Sequence, residues 1–168
     1  MDLCLIWAQD RAGAVSRGDA IPWNVPDERQ YFTDTTQDSP VIVGLRTWHA
    51  LGARPLPGRQ NIVLMRGHDA VELGGAVRSC SIGDAIMLAG TSRPAKVFIV
   101  GGVDLHVRAL PVAQRVYVTE RDLKVEGADA YAPALPRTQW TRHFETELRA
   151  SQAGVRYRFV EYRRAGRH

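Results

Sequence analysis

Short apolar runs, separated by polar or glycine-rich segments, recur along the chain and predict a buried sheet. Their nearly continuous hydrophobicity is typical of strands covered on both faces, as in parallel sheets. Between them, apolar residues at helical spacing predict short helices. The predicted strands are 3–8, 40–44, 61–65, 76–78, 95–100 and 115–119, and the predicted helices are 26–36, 45–51, 81–89 and 103–110. The run 76–78 is expected to be a short strand at the sheet edge, and Pro111 is expected to stop the last helix.

The last third of the chain has a different pattern. Segments 139–148 and 155–164 alternate polar with aromatic or aliphatic residues, and Gly154 lies between them. This pattern predicts an antiparallel pair of strands. Segment 125–136 is expected to be a loop, and so is 9–20, whose length is typical of a lid over a site. The sequence therefore predicts one α/β domain over 1–168: a mixed, mostly parallel sheet with helices on both faces and a C-terminal antiparallel hairpin.

Composition narrows the class of protein. The chain has 168 residues, 45% hydrophobic, which is enough for one domain with its own core. The formal net charge of +4 allows a nucleic-acid partner, but lysine and arginine are scattered rather than clustered with aromatic residues. Cys4 and Cys80 show no metal-ligand spacing, and the five histidines are isolated. We therefore expect a reduced, cytoplasmic protein without metal, membrane or nucleic-acid partner.

The segment 21–32 holds the clearest candidate for chemistry. Pro22 and Pro26 make it stiff, and Pro26 suits the first turn of a helix. Asp27 is expected to face solvent and to interact favourably with the helix dipole. Glu28 lies four residues before Phe32, so both share one helix face. A carboxylate on an apolar face behind a rigid loop indicates a functional acid.

Three predicted strands end in glycine or basic turns, which would lie together at the carboxyl edge of a parallel sheet, where ligands bind. The turns are 44–47, 64–66 and 101–103. A glycine pair such as Gly101-Gly102 allows close approach of backbone to a phosphate, although it is equally compatible with an ordinary strand–helix turn. Arg59 follows the stiff segment 55–58 and suits a carboxylate. Taken singly, each arginine is better explained as a solvated surface residue.

Several of these stretches together resemble the dihydrofolate reductases over nearly the whole chain. The most specific are Ile-Pro-Trp-Asn-Val-Pro at 21–26, followed by Glu28, and Arg-Pro-Leu-Pro-Gly-Arg at 54–59. Others are Leu-Ile-Trp-Ala at 5–8, Val-Ile-Val-Gly at 41–44, Ile-Val-Gly-Gly at 99–102 and Tyr-Val-Thr at 117–119. The segments 5–9 and 154–159 look most like actinobacterial members.

The resemblance implies a dihydrofolate-reductase-like fold and an NADPH-dependent reduction of 7,8-dihydrofolate to 5,6,7,8-tetrahydrofolate. It also implies a monomer that binds antifolate inhibitors. Glu28 matches the acid that binds the pterin and favours protonation at N5, with Trp23 and Thr119 holding that acid and an ordered water. Arg59 matches the residue that binds the α-carboxylate of the glutamate tail. The peptide between Gly101 and Gly102 is cis in the family.

The remaining implied site residues fall into two groups. The substrate-binding group is Ile6, Trp7, Ala8, Ile21, Phe32, Leu51, Leu56 and Arg59. The cofactor-binding group is Ala8, Ser16, Ile21, Gly44, Arg46, Thr47, Leu64, Arg66, Val100, Gly101, Gly102, Val103, Leu105 and His106.

Five positions depart from the family pattern, and these are Ser16, Leu45, Val103, Asp104 and His106. Four of the five lie on the cofactor side. We therefore expect weaker NADPH binding than in typical members, with Arg66 as the main contact of the 2′-phosphate. Two alternatives stay open at this point. One is a reductase of the same fold acting on a pyrimidine of riboflavin synthesis, and the other is a catalytically weak pterin- or nucleotide-binding relative.

Overall fold

A computed structural model of the chain describes residues 1–16, 26–67, 73–151 and 154–166. The strands of its main sheet are β1 (Asp2–Gln9), β3 (Val41–Gly44), β4 (Asn61–Leu64), β5 (Val77–Ser79), β6 (Lys96–Gly101), β7 (Arg115–Arg121), β9 (Trp140–Glu145), β10 (Arg149–Ala150) and β11 (Arg156–Arg164). Their order in the sheet is β10-β11-β7-β1-β6-β3-β4-β5, with β9 also paired to β11. The central strand β1 is parallel to both of its neighbours, β6 and β7. The strand β2 (Ala14–Ser16) pairs with β8 (Ala130–Tyr131) in a separate two-stranded sheet.

The predicted mixed sheet is confirmed. Strands β3, β4 and β5 continue the parallel part beyond β6. On the other side, β11 is antiparallel to β7, and both β9 and β10 are antiparallel to β11. The described residues form four α-helices, which are α1 (Pro26–Thr35), α2 (Leu45–Ala50), α3 (Ile82–Gly90) and α4 (Val103–Ala109). Helix α3 begins as expected, with the Ser81 hydroxyl accepting a hydrogen bond from the Asp84 backbone N–H at 3.0 Å.

The two faces of the sheet carry separate apolar clusters because side chains alternate along each strand. Leu3, Leu5 and Trp7 pack with α3 and α4 residues and with Trp140 on one face. On the other face, Cys4 and Ile6 pack with Phe98 and Tyr117, and Phe32 of α1 and Leu56 cover this cluster. Residue parity along β1 therefore decides which side chains can face α1.

Pro111 stops α4 as expected, since the α-helix ends at Ala109 and Leu110–Val112 then forms a 3₁₀ turn with Pro111 near its start. Three expectations about local structure are corrected. The predicted loops 9–20 and 125–136 contain β2 and β8, which are three and two residues long and too short to produce a periodic pattern. Segment 139–148 is not one strand, since β9 ends at Glu145 and β10 starts at Arg149. Strand β7 extends two residues beyond its predicted end at Thr119.

No described helix has both the length and the apolar character needed to cross a membrane. The single domain over 1–168 and the cytoplasmic location stay predictions.

Candidate active site around Glu28

Helix α1 is held on the sheet by aromatic contacts. The ring of Tyr31 stacks on Phe159 of β11, with centroids 3.8 Å apart and planes 7° from parallel. Phe32, the next residue, packs against the cluster that contains Ile6 and Tyr117. These two neighbours anchor one side of α1 above β1, β7 and β11. The helix start at Asp27 and Glu28 therefore lies over the C-terminal end of β7 and the N-terminal end of β11.

Glu28 forms an ion pair with Arg121 of β7. Nε of Arg121 donates to Oε2 of Glu28 at 3.1 Å, and Nη2 donates to the same oxygen. The Arg121 side chain is 3% exposed and that of Glu28 is 16% exposed. Burial raises the pKa of the Glu28 carboxyl, while the guanidinium beside it acts in the opposite direction. Burial likewise lowers the pKa of Arg121 to about 10.

Asp27 has a structural partner that the sequence did not predict. It is exposed, as expected, but its Oδ2 also accepts a hydrogen bond from the hydroxyl of Tyr157. Tyr157 is buried on β11 and lies directly opposite Arg121 in the antiparallel register. The two adjacent acids of α1 are therefore each bound to one member of a cross-strand pair.

The predicted apolar wall of the substrate site is partly assembled. Ile6, Phe32, Leu56 and Val100 belong to or pack against one cluster on the α1 face. Leu56 is fixed by Asn61, whose Oδ1 accepts from the Leu56 N–H at 2.8 Å and whose Nδ2 donates to the Leu56 carbonyl at 3.0 Å. Leu51 lies outside this cluster and is exposed.

Thr119 and Ala8 are neighbours in the parallel register of β7 and β1. Thr119 is buried and lies two residues before Arg121, so both side chains point to the α1 face. Trp7 differs, because its ring packs on the opposite face and its Nε1 donates to Gln9 at 2.8 Å. A contact of Trp7 with substrate would therefore have to use its backbone.

Arg59 is positioned along the end of α1. Its Nη1 donates to the hydroxyl of Thr36 at 2.6 Å and to the carbonyl of Thr33 at 3.3 Å, and its Nε donates to the carbonyl of Pro57 at 2.9 Å. Thr36 itself is fully buried. These bonds restrict the guanidinium before any ligand arrives, which lowers the entropic cost of using it as a binding group.

The predicted glycine edge is also assembled. The peptide between Gly101 and Gly102 is cis, which confirms the form expected from the family. A Cβ at Gly101 would lie 3.4 Å from the hydroxyl oxygen of Thr47, and one at Gly44 would lie 3.5 Å from the carbonyl oxygen of Gly101. The starts of α2 and α4 are therefore adjacent. Val103 is partly exposed in the first turn of α4, and Leu105 is buried in the core below it.

The basic residues predicted at this edge are exposed. Arg46 lies in the first turn of α2, and Arg66 follows β4 next to it, with the partly buried Leu64 at the end of β4. Asp104, at the start of α4, is exposed and forms an ion pair with Arg108 at 3.3 Å. The pair offsets part of the negative charge that Asp104 adds to this edge.

His106 is buried between two main-chain segments. Its Nε2 is 3.1 Å from the carbonyl oxygen of Ile99, the ring also bonds the backbone of Ile6, and its centroid is 5.1 Å from that of Trp7. Burial lowers the pKa of this imidazole to about 4. At neutral pH the imidazole is uncharged and packs in the core under Gly101.

Trp23, Ile21 and the side chain of Ser16 lie outside the described residues. Sequence reasoning missed Arg121 and Tyr157. A signal for Arg121 was available, because it continues the alternation Tyr117, Thr119 on the side of the sheet that carries the candidate site.

Comparisons with known proteins show the family of this chain. A family model described as dihydrofolate reductase matches residues 2–164. The dihydrofolate reductase of Neisseria meningitidis serogroup B is 41% identical over 150 residues, covering 89% of this chain and 90% of that protein. The enzyme of Mycobacterium tuberculosis is 39% identical over 165 residues, covering 96% and 97%. A solved dihydrofolate reductase from Enterococcus faecalis, complexed with NADP(H) and RAB-propyl, superposes with a TM-score of 0.86 at 24% identity, over 98% of this chain and 97% of that one.

The fold and the buried acid define an α/β reductase. The chain belongs to the dihydrofolate reductase family, and its activity is the reduction of dihydrofolate.

Proposed function

We propose that this chain reduces 7,8-dihydrofolate to 5,6,7,8-tetrahydrofolate with NADPH as hydride donor, and that Glu28 binds the pterin and supports protonation of N5. The observation that supports this most directly is the position of Glu28. Its carboxylate is largely buried at the start of α1, on the face where Phe32 and Ile6 form an apolar wall. A carboxylate in such a place binds a flat ring that presents two N–H donors.

Glu28 acts on the proton rather than on the hydride. Its carboxylate accepts hydrogen bonds from the amino-pyrimidine edge of the pterin, which polarises the ring and makes N5 more basic. Burial raises the pKa of Glu28, because it disfavours the ionised carboxylate on its own. Hydrogen bonds from the N–H groups of a bound pterin stabilise the ionised form. Thr119 is buried on the same face, and we expect its hydroxyl to lie beside this acid.

Arg59 binds the α-carboxylate of the substrate's glutamate tail. Support comes from its restrained guanidinium near the C-terminal end of α1, distant along the helix from Glu28. A substrate that reaches both residues lies along α1 with its ring at the helix start. The apolar residues Phe32 and Leu56 line the space between them.

NADPH fits the glycine edge by the chemistry of its donors. Gly101 and Gly102 place backbone next to the Thr47 side chain, and the φ of +145° at Gly101 disfavours any side chain there. Arg46 and Arg66 add exposed positive charge after the neighbouring strands β3 and β4. NADPH supplies the hydride when bound, and the chain's own residues orient it and exclude water.

The departures at this edge lead us to propose that NADPH binds more weakly than in typical members, with Arg66 as the main contact of the 2′-phosphate. Leu45 offers no charge, and Asp104 adds a negative one that Arg108 only partly offsets. Titration of the wild type and of Arg66→Ala with NADPH, and separately with NADH, measures the affinity for each cofactor and tests this proposal. We expect Arg66→Ala to lose most of the preference for NADPH; an unchanged preference, with ordinary NADPH affinity, contradicts the proposal.

NADPH oxidation measured with dihydrofolate, and separately with the pyrimidine intermediate of riboflavin synthesis, tests the function. We expect turnover with dihydrofolate only, and a rise in KM without a matching fall in kcat when Arg59 is replaced by Ala, because Arg59 binds the substrate tail away from the reacting ring. Turnover of the pyrimidine in preference to dihydrofolate contradicts the substrate assignment. Binding of both ligands without turnover contradicts the reaction.

A further inference from the structure

The ion pair between Glu28 and Arg121 places a fixed positive charge at the acid of the candidate pocket. Nε and Nη2 of Arg121 both donate to Oε2 of Glu28. Two donors of the guanidinium therefore converge on one carboxylate oxygen, whereas an amino-pyrimidine edge would offer one N–H to each oxygen.

Arg121 has little freedom to leave. It lies on β7 between β1 and β11, and its side chain is 3% exposed. Tyr157, opposite it on β11, is itself bound to Asp27 at the start of α1. Among the described residues, the charged or titratable groups that meet here are Asp27, Glu28, Arg121 and Tyr157, with Arg149 of β10 paired opposite Tyr157. The burial of Arg121 and these contacts hold its charge next to Glu28.

We propose that Arg121 determines specificity, by making the Glu28 pocket discriminate against ligands that bind as cations in favour of neutral ligands with the same hydrogen-bonding edge. The inference rests on the proposed pterin site at Glu28. A neutral pterin ring and a protonated 2,4-diaminopyrimidine ring both offer Glu28 two parallel N–H donors. They differ in net charge, so only the second ring is repelled by the guanidinium.

The size of the effect follows from Coulomb's law. A second cation about 6 Å from the guanidinium, at the effective dielectric of partly buried sites, loses roughly tenfold to a hundredfold in affinity. A neutral ring at the same place loses little. An arginine that only stabilises the fold would instead change the affinity for both rings alike, because its removal would disturb their shared hydrogen bonds equally.

The test compares equilibrium binding of a 2,4-diaminopyrimidine and of dihydrofolate, followed by tryptophan fluorescence. Arg121→Gln keeps a donor for Glu28 without the charge, Arg121→Leu removes both, and Arg121→Lys keeps the charge. Arg158→Leu is the matched control, because Arg158 pairs with Glu120 across the same two strands but at a position of opposite parity. We expect the Gln and Leu variants to favour the diaminopyrimidine over dihydrofolate by about tenfold or more relative to wild type. We expect Lys and the control to retain the wild-type ratio.

A ratio in Arg121→Gln within about twofold of wild type would overturn the proposal, because charge repulsion predicts a larger change. A second measurement needs no variant: the pKa of the diaminopyrimidine ring bound to wild type, from its ultraviolet absorbance. We expect binding to raise this pKa by less than about 1, since the pair at the site is nearly neutral, and a rise of about 2 or more contradicts the proposal. Failure of the proposed function would appear differently, as absent turnover of dihydrofolate with the binding ratio still measurable.

Discussion

Arg121 and Glu28 are 93 residues apart in the chain and form a largely buried ion pair between β7 and the start of α1. This pair connects the central sheet with Glu28, the residue that carries the proposed chemistry. It fixes the carboxylate in place. The neighbouring bond from Tyr157 to Asp27 fixes the same helix start to β11.

Arg121→Leu should lower the free energy of unfolding by about 3 kcal/mol, because removal of one partner leaves a buried carboxylate without its counter-charge. For a chain of 168 residues this corresponds to a fall in Tm of roughly 6–12 °C. Urea unfolding measures it directly. The double variant Glu28→Gln/Arg121→Leu should be more stable than Arg121→Leu alone, since it leaves no unpaired charge. Effects of the two substitutions that add to within about 0.5 kcal/mol would show that the pair is not coupled.

The buried imidazole of His106 should make stability depend on pH. Its pKa is lowered from 6.5 to about 4 in the folded protein, so the unfolded chain binds a proton that the folded chain does not. The contribution is fully present above about pH 6.5 and is lost as the pH falls through about 4, with a total near 3 kcal/mol for this group. His106→Gln should flatten the measured unfolding free energy over that interval. His49→Gln, at an exposed histidine, should leave the profile unchanged. Equal profiles for wild type and His106→Gln would exclude the effect.

Gly101 and Gly44 offer a matched pair of substitutions at the glycine edge. Gly101 has φ of +145°, and an added Cβ would lie 3.4 Å from Oγ1 of Thr47. Gly44 has φ of −76°, and its added Cβ would meet Gly101 and Leu105 at ordinary contact distances of 3.5–3.6 Å. Gly101→Ala should therefore destabilise the fold by about 1–3 kcal/mol, and Gly44→Ala by less than about 1 kcal/mol. Thermal unfolding of the two variants distinguishes them, and a larger loss in Gly44→Ala would contradict this reading of the edge.

Features of the site that depend on neighbouring residues in the chain can be predicted from the sequence. Features that depend on contacts between distant segments cannot. Glu28 could be found from local signals: a stiff proline segment, a helix start and the spacing to Phe32. The longer strands could be found because burial on both faces leaves an apolar run. The alternation along β7 shows the face on which Arg121 lies, but the roles of Arg121 and Tyr157 come from a cross-strand register and from a helix placed above it, which no local pattern shows. The strands β2 and β8 are too short to carry a period, and they exist only through their pairing.

The surroundings of Arg59 and His106 also depend on contacts between distant segments, which the sequence does not predict. The sequence predicts a stiff loop before Arg59, but not that Thr36 of the α1 segment would hold its guanidinium at 2.6 Å. The family resemblance implies that His106 binds the cofactor, but it does not predict that the ring is buried. Its burial follows from the packing of α4 against Trp7 and β6, which no local pattern reports.

The role of Glu28 is tested by the rate of hydride transfer from NADPH to dihydrofolate in single turnover, measured from pH 6 to 9 in wild type and in Glu28→Gln. Glutamine keeps the size of the side chain but cannot act as a carboxylate. We expect the variant to lose about a hundredfold or more, with the loss growing as the pH rises, because protonation of N5 then depends on solvent alone. A variant that transfers hydride within about threefold of wild type at every pH would show that Glu28 is not the acid that supports the reaction, since assistance of this kind contributes about a hundredfold or more.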